Sequence, residues 1–177
     1  MRFLSRIMGS VSRGSLARQE RRSAGRRASR IELERLESRD LMSAIPGVSL
    51  TYGNLSIKAP NPSGNVAAVS IAHDNNLLVT LNGQSEEFSV TGIYNITYTG
   101  GSQGGDQFTN NTNLVSLEYG YGGNNTFTGG TNFNYVYFQG NNNTFSAQVG
   151  AISDVFEDYG TGDIINKNGA TVQVYSF

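Results

Sequence analysis

Residues 101–146 read GSQGGDQFTNNTNLVSLEYGYGGNNTFTGGTNFNYVYFQGNNNTFS, and an apolar side chain returns there every nine or ten positions, at Phe108, Leu117, Phe127, Val136 and Phe145. The beat continues through Val155, Ile164 and Val174. Each beat lies in a short β-prone run. Gly- and Asn-rich segments such as GYGGNNTFTGG and GNNNTF separate the runs, which is turn chemistry rather than packing. A unit this short cannot bury a hydrophobic face alone, so the units must stack, and the column of beats becomes the core.

An Asx residue stands two places before alternate beats: Asp106 before Phe108, Asn125 before Phe127, Asn143 before Phe145, and Asp163 before Ile165, at separations of 19, 18 and 20. Two units therefore make one coil, with two short strands and two turns. The intervening beats Leu117, Val136, Val155 and Val174 are expected to form the opposite wall. The expected fold is all-β: a right-handed β-solenoid of the β-roll or parallel β-helix kind over residues 100–177.

Residues 46–99 read as strands, VSLTY, LSIK, NVAAVSIA, LLVTL, EEFSV and IYNITY, and are expected to form the first part of the solenoid or its cap. The turn at Asp74 to Asn76 predicts a hairpin, and Asn82–Gly83 a second one leading to Phe88 and Val90. Pro60 and Pro62 mark a loop. His73 ends an alternating run beside Asp74. With no second His and no Cys to complete a site, it reads as a strand-end residue at a turn.

Composition splits the chain. Residues 1–44 hold 11 of the 13 basic residues against five acids, whereas residues 46–177 hold only Lys58 and Lys167 against nine acids. All 19 Asn and all nine Tyr lie in the second part. Residues 1–45 are too polar and Arg-rich to order themselves around a core, so they read as a disordered leader dispensable for folding. The run IELERLESRDLM supports at most a short helix. An Arg-rich arm can neutralise phosphates, lie on anionic lipid, or serve as an address.

The string RIELERLESRDLMSA resembles the LEPR-XLL-type leader at the start of many planctomycete surface and secreted proteins. Leu33, Glu34, Leu36, Glu37, Arg39, Leu41, Ser43 and Ala44 match; Met42 stands where Leu is usual and Ser38 where Pro is. That resemblance implies export, hence an extracellular or cell-surface protein with no nucleic-acid partner. No stretch approaches the roughly 20 apolar residues of a membrane span.

The repeats resemble hemolysin-type calcium-binding (RTX) repeats, GGxGxDxUx. GSQGGDQFT matches at Gly101, Gly104, Asp106 and Phe108; GYGGNNTFT matches at Gly120, Gly123 and Phe127 with Asn125 in the Asp position. GGTNFNYVY keeps Gly129, Gly130 and Val136 with Asn134 in the Asp position, and FQGNNNTFS keeps only Asn143 and Phe145. The family pattern implies bound calcium, but a calcium ion wants six to eight oxygens, with carboxylates supplying the charge. At about 4.8 Å per coil, Asp106 and Asp163 stand about 14 Å apart. One weak calcium site at Asp106, Asp154 or Asp163 is the most these residues offer. Asn125, Asn134 and Asn143 are expected instead to hydrogen-bond up the stack as an amide ladder.

A β-helix enzyme acting on polysaccharide needs clustered acids with a Lys or Arg on one face. Here the acids are scattered, and no phosphate loop, nucleophile elbow or zinc signature appears. The expectation is a non-enzymatic structural or adhesion module. Tyr119, Tyr121, Tyr135 and Tyr137 would form a ligand strip for polysaccharide or other surface proteins, and Val172 to Phe177 a self-associating edge. A calcium-binding RTX-type protein, and a β-helix enzyme or a fragment of one, are the alternatives.

Overall fold

The computed structural model describes residues 41–177, which contain strands and no helix. One sheet runs β1 (Leu41–Met42), β2 (Val48–Thr51), β3 (Asn54–Lys58), β7 (Asn95–Thr99), β9 (Val115–Gly120), β11 (Asn134–Gln139), β13 (Asp154–Tyr159) and β15 (Val172–Ser176). The other runs β6 (Gln84–Ser89), β5 (Asn76–Leu81), β4 (Val66–Ile71), β8 (Gln107–Asn111), β10 (Thr126–Thr128), β12 (Thr144–Ser146) and β14 (Ile164–Asn166). From β3 through β15 in the first sheet, and from β4 through β8 to β14 in the second, neighbouring strands pair in parallel, so the chain winds as a β-solenoid.

The first sheet starts with an antiparallel hairpin, β2–β3, and the second is extended by the antiparallel excursion β4–β5–β6. Asn82 and Gly83 turn β5 into β6 with φ of 50° and 81°, the left-handed pair that a two-residue hairpin loop requires. These hairpins close the first end of the core with Val48, Leu55, Leu77, Val79 and Phe88. Residues 41–45 touch both sheets: β1 pairs with β2, Ile45 is buried, Ser43 Oγ donates to Glu86 Oε2, and Ala44 N donates to the same oxygen at 2.8 Å. Of the run expected to be at most a short helix, residues 31–40 lie outside the described residues, and Leu41–Met42 form a strand.

The second sheet points Ala67, Phe108, Phe127, Phe145 and Ile165 inward in strict register. The first sheet answers with Tyr98, Phe138 and Phe156. Tyr98 stacks on Phe108 at 4.5 Å between ring centroids; Phe127 meets Phe138 at 4.9 Å, and Phe138 meets Phe156 at 5.4 Å. Such pairs add about 0.5–1.5 kcal/mol each beyond the area they bury.

On the first sheet the expected beat is displaced by one residue in two strands. Leu117 and Val155 lie half-buried on the outer face, while Ser116, Glu118, Asp154 and Phe156 point inward. In-register parallel pairing forces this. Val136 of β11 faces the core, so its partners Glu118 and Phe156 must face it too, whatever their polarity. At the far end Ile164 is exposed and Ile165 takes the inward place, and Val174, in the inward column, remains 41% exposed on the last strand.

The corners require glycine where coils touch. Gly104 has φ of +78°, and a Cβ there would lie 2.1 Å from the Gly123 carbonyl oxygen of the next coil.

Candidate functional site: an aromatic face and two internal polar ladders

Outward-facing residues of the first sheet align in columns set by the register. Tyr119 and Tyr137 are direct partners, as are Leu117, Tyr135 and Val155 in the neighbouring column. The rings touch: Tyr119 lies 6.2 Å from both Tyr135 and Tyr137, Tyr121 lies 6.2 Å from Tyr137, and Tyr137 lies 5.1 Å from Tyr159. Tyr159 in turn stacks on Phe177 at 4.6 Å. The four tyrosines singled out from sequence thus share one surface, which continues through Tyr159 and Phe177. These last two belong to the VFEDYG run and the chain end, where no second Tyr marks a strip.

The rings lean on one another at 41–59°, so they present edges and hydroxyls along with part of each ring face. Burial among these rings, together with the Glu157 carboxylate alongside, pushes the Tyr135 hydroxyl up to about 12. The surface therefore offers neutral hydroxyls and apolar ring carbon side by side, framed by Thr97, Thr99 and Gln139 of the same sheet face.

Beneath the other sheet, Asx side chains link every coil. Asn65 donates from its backbone N and its Nδ2 to Asp106 Oδ1, at 2.8 and 2.7 Å. Asp106 N donates to Asn125 Oδ1 at 3.0 Å. Asn125 donates from N and Nδ2 to Asn143 Oδ1 at 3.0 and 2.9 Å, and Asn143 N donates to Asp163 Oδ1 at 2.7 Å. Each buried corner N–H thus finds an acceptor on the next coil. Asn65 precedes the inward Ala67 by two residues, the spacing of its successors; the small apolar beat hides it in the sequence.

Asn134 belongs to a different column, with Ser116 and Asp154. Its backbone N and Nδ2 donate to Asp154 Oδ1 at 3.1 and 2.8 Å, and its Oδ1 accepts from Gly130 N and Ser116 Oγ at 2.7 Å each. Read from the sequence, Asp154 stands one place off this column; the structure puts it in register. Ser116 Oγ also lies 2.7 Å from Glu118 Oε1. Ser116 has one proton, and the Gly130 N–H fixes which end of the Asn134 amide faces it. Ser116 therefore donates to Asn134, and Glu118 must bring its own proton and donate to Ser116. Burial, with a smaller push from Asp154, raises the Glu118 carboxyl to about 8, in keeping with that count. Nothing in the sequence distinguishes Glu118 from a solvated acid.

The three aspartates singled out for metal are not brought together. Asp106 and Asp163 are separated by the Asn125 and Asn143 rungs, and Asp154 lies in the other column. Asp106 already accepts from Asn65 on Oδ1 and from Gly101 N on Oδ2, the latter at 2.6 Å. Asp163 lies beside the Asp158 carboxylate: burial and Asp158 raise it to about 6. Among the described residues no three His, Cys, Asp or Glu lie together as a metal-holding group, and no helix is long and apolar enough to cross a membrane. His73 is exposed at the β4–β5 turn. No family model, no curated protein and no solved structure matches this chain.

Proposed function

We propose that this chain is a non-enzymatic, exported interaction module whose tyrosine face holds polysaccharide at the cell surface. The observation that carries the reading is the continuous contact of Tyr119, Tyr121, Tyr135, Tyr137 and Tyr159 on one rigid parallel sheet. A polysaccharide alternates apolar ring faces with hydroxyls, and a row of phenols offers the same alternation at low entropic cost, because the sheet already orders the rings. The leader resemblance supports export. The two acids whose carboxyls are pushed up inside the core, Glu118 and Asp154, have no exposed surface to offer a substrate, which supports a binding role over hydrolysis. Calcium enters this reading only as a weak ligand at Asp163 and its neighbour Asp158. Affinity electrophoresis through gels cast with neutral polysaccharides tests it: retardation that disappears in Tyr119→Ala/Tyr137→Ala supports the face as the binding surface, and unretarded migration in every gel refutes it.

A further inference from the structure

A cleft of about 550 Å³ lies where the turn of the β4–β5 hairpin meets the loops that leave β6, β8, β10 and β12. It shares no residue with the tyrosine face. Every side chain lining it is uncharged: amides from Asn75, Asn111, Asn113 and Gln148, hydroxyls, and the apolar Ile71 and Val90.

The walls are set before any ligand arrives. Asn110 Oδ1 accepts from Thr112 N and Thr112 Oγ at 3.0 and 2.7 Å, which pins the β8–β9 loop. Gln148 Nε2 donates to the Asn110 carbonyl at 3.1 Å and to Asn111 Oδ1 at 3.2 Å, crossing from one coil to another. Among the described residues, those bonds leave Asn111 Nδ2 as a free donor and Gln148 Oε1 as a free acceptor. The side chains of Asn75 and Asn113 hydrogen-bond to none of the described residues, so each offers both functions.

We infer that this cleft binds a short neutral oligosaccharide. An anion or cation entering it would lose hydration without meeting an opposite charge. A purely apolar ligand would strand the free amides. A sugar ring supplies hydroxyls that both donate and accept, and an apolar face for Ile71 and Val90. The size lies within the roughly 300–1,000 Å³ of small-molecule sites. No acid or base lines the cleft, so it holds the sugar and does not cleave it. The inference goes beyond the tyrosine face and stands or falls separately from it.

The test is titration of the full ¹⁵N-labelled chain with cellohexaose, xylohexaose, maltohexaose and mannohexaose, using hexagalacturonate as the charged comparison. The expected result is saturable movement of the Asn113 and Gln148 amide signals with at least one neutral sugar. Asn111→Ala/Asn113→Ala should then bind about tenfold or more weakly, whereas Tyr119→Ala/Tyr137→Ala should bind at the cleft as before. Asn113→Ala alone removes a side chain that bonds to none of the described residues; its melting temperature should match the parent while its affinity falls. Absence of saturable shifts at the cleft up to about 10 mM of every neutral sugar, or shifts produced by hexagalacturonate alone, would overturn the inference. So would neutral-sugar binding that survives the double cleft variant; if that binding is lost in the tyrosine variant instead, the tyrosine face stands and the cleft falls.

Discussion

Ser116 Oγ and Glu118 Oε1 lie 2.7 Å apart in a core that exposes neither residue, and the hydrogen-bond count around them places a proton on Glu118. An unfolded Glu ionises near 4.5, whereas the folded one holds its proton to about 8. The stability this proton contributes is complete below pH 4.5 and is lost as pH rises through that window, at up to about 1.4 kcal/mol per unit. Asp154 and Asp163, both raised, act with the same sign, Asp163 up to about pH 6. The melting temperature should therefore fall from pH 5 to pH 8. Glu118→Gln, whose amide donates to Ser116 without titrating, should flatten the slope above pH 6. Equal slopes in the two proteins would place the proton elsewhere.

The rung at Asn143 accepts two N–H groups from Asn125 and sends its own backbone N–H to Asp163. Asn143→Ala strands the Asn125 N–H in a buried corner, at a cost of about 1–3 kcal/mol. Asn143→Asp keeps the acceptor and should lose less. Urea denaturation at pH 7 checks the order, with an unchanged midpoint in the Ala variant counting against a structural ladder.

The winding of the chain is legible because one column announces itself. Phe108, Phe127 and Phe145 repeat with their Asx partners, and parallel stacking follows from that repeat. The other wall is not legible by the same rule. In VSLEYG the apolar residues Val115, Leu117 and Tyr119 alternate with Ser116 and Glu118, and polarity alone buries the wrong set. Register with β11, fixed by Val136 and Phe138, decides the face, and a neighbour's register is not local information. The same inversion turns Tyr119 outward, beside the Tyr135 and Tyr137 that β11 already presents there, and so completes the aromatic surface. The cleft is illegible for a related reason: its walls come from five loops that only coil stacking and the β4–β5–β6 excursion bring together.

Calcium should change little. The Asp106 oxygens are occupied by N–H donors, and Asn125 and Asn143 supply amides where a full site needs carboxylates. Adding 1 mM calcium, roughly the affinity range of weak extracellular sites, to EDTA-treated protein should leave the far-ultraviolet circular dichroism unaltered. A coil-to-strand transition on addition would show that the ladder does not suffice to hold the coils.

Among the described residues β15 pairs only with β13 and leaves Val174, Tyr175 and Phe177 exposed. Its free edge can pair with a second copy, and a lysine there disfavours such pairing. Sedimentation velocity of this chain at rising concentration should show association that Val174→Lys reduces. A monomer at every concentration contradicts a self-pairing edge.

A glycan array probed with the full chain and with Tyr119→Ala/Tyr137→Ala tests the tyrosine face most directly. These side chains lie on the outer surface of a sheet whose backbone pairing does not depend on them, so the variant should fold and keep its circular dichroism. The expected result is binding of the parent to polymeric neutral glycans and a loss of about tenfold or more in the variant. Parent and variant binding the same glycans equally, or the parent binding none, would contradict a polysaccharide-holding face.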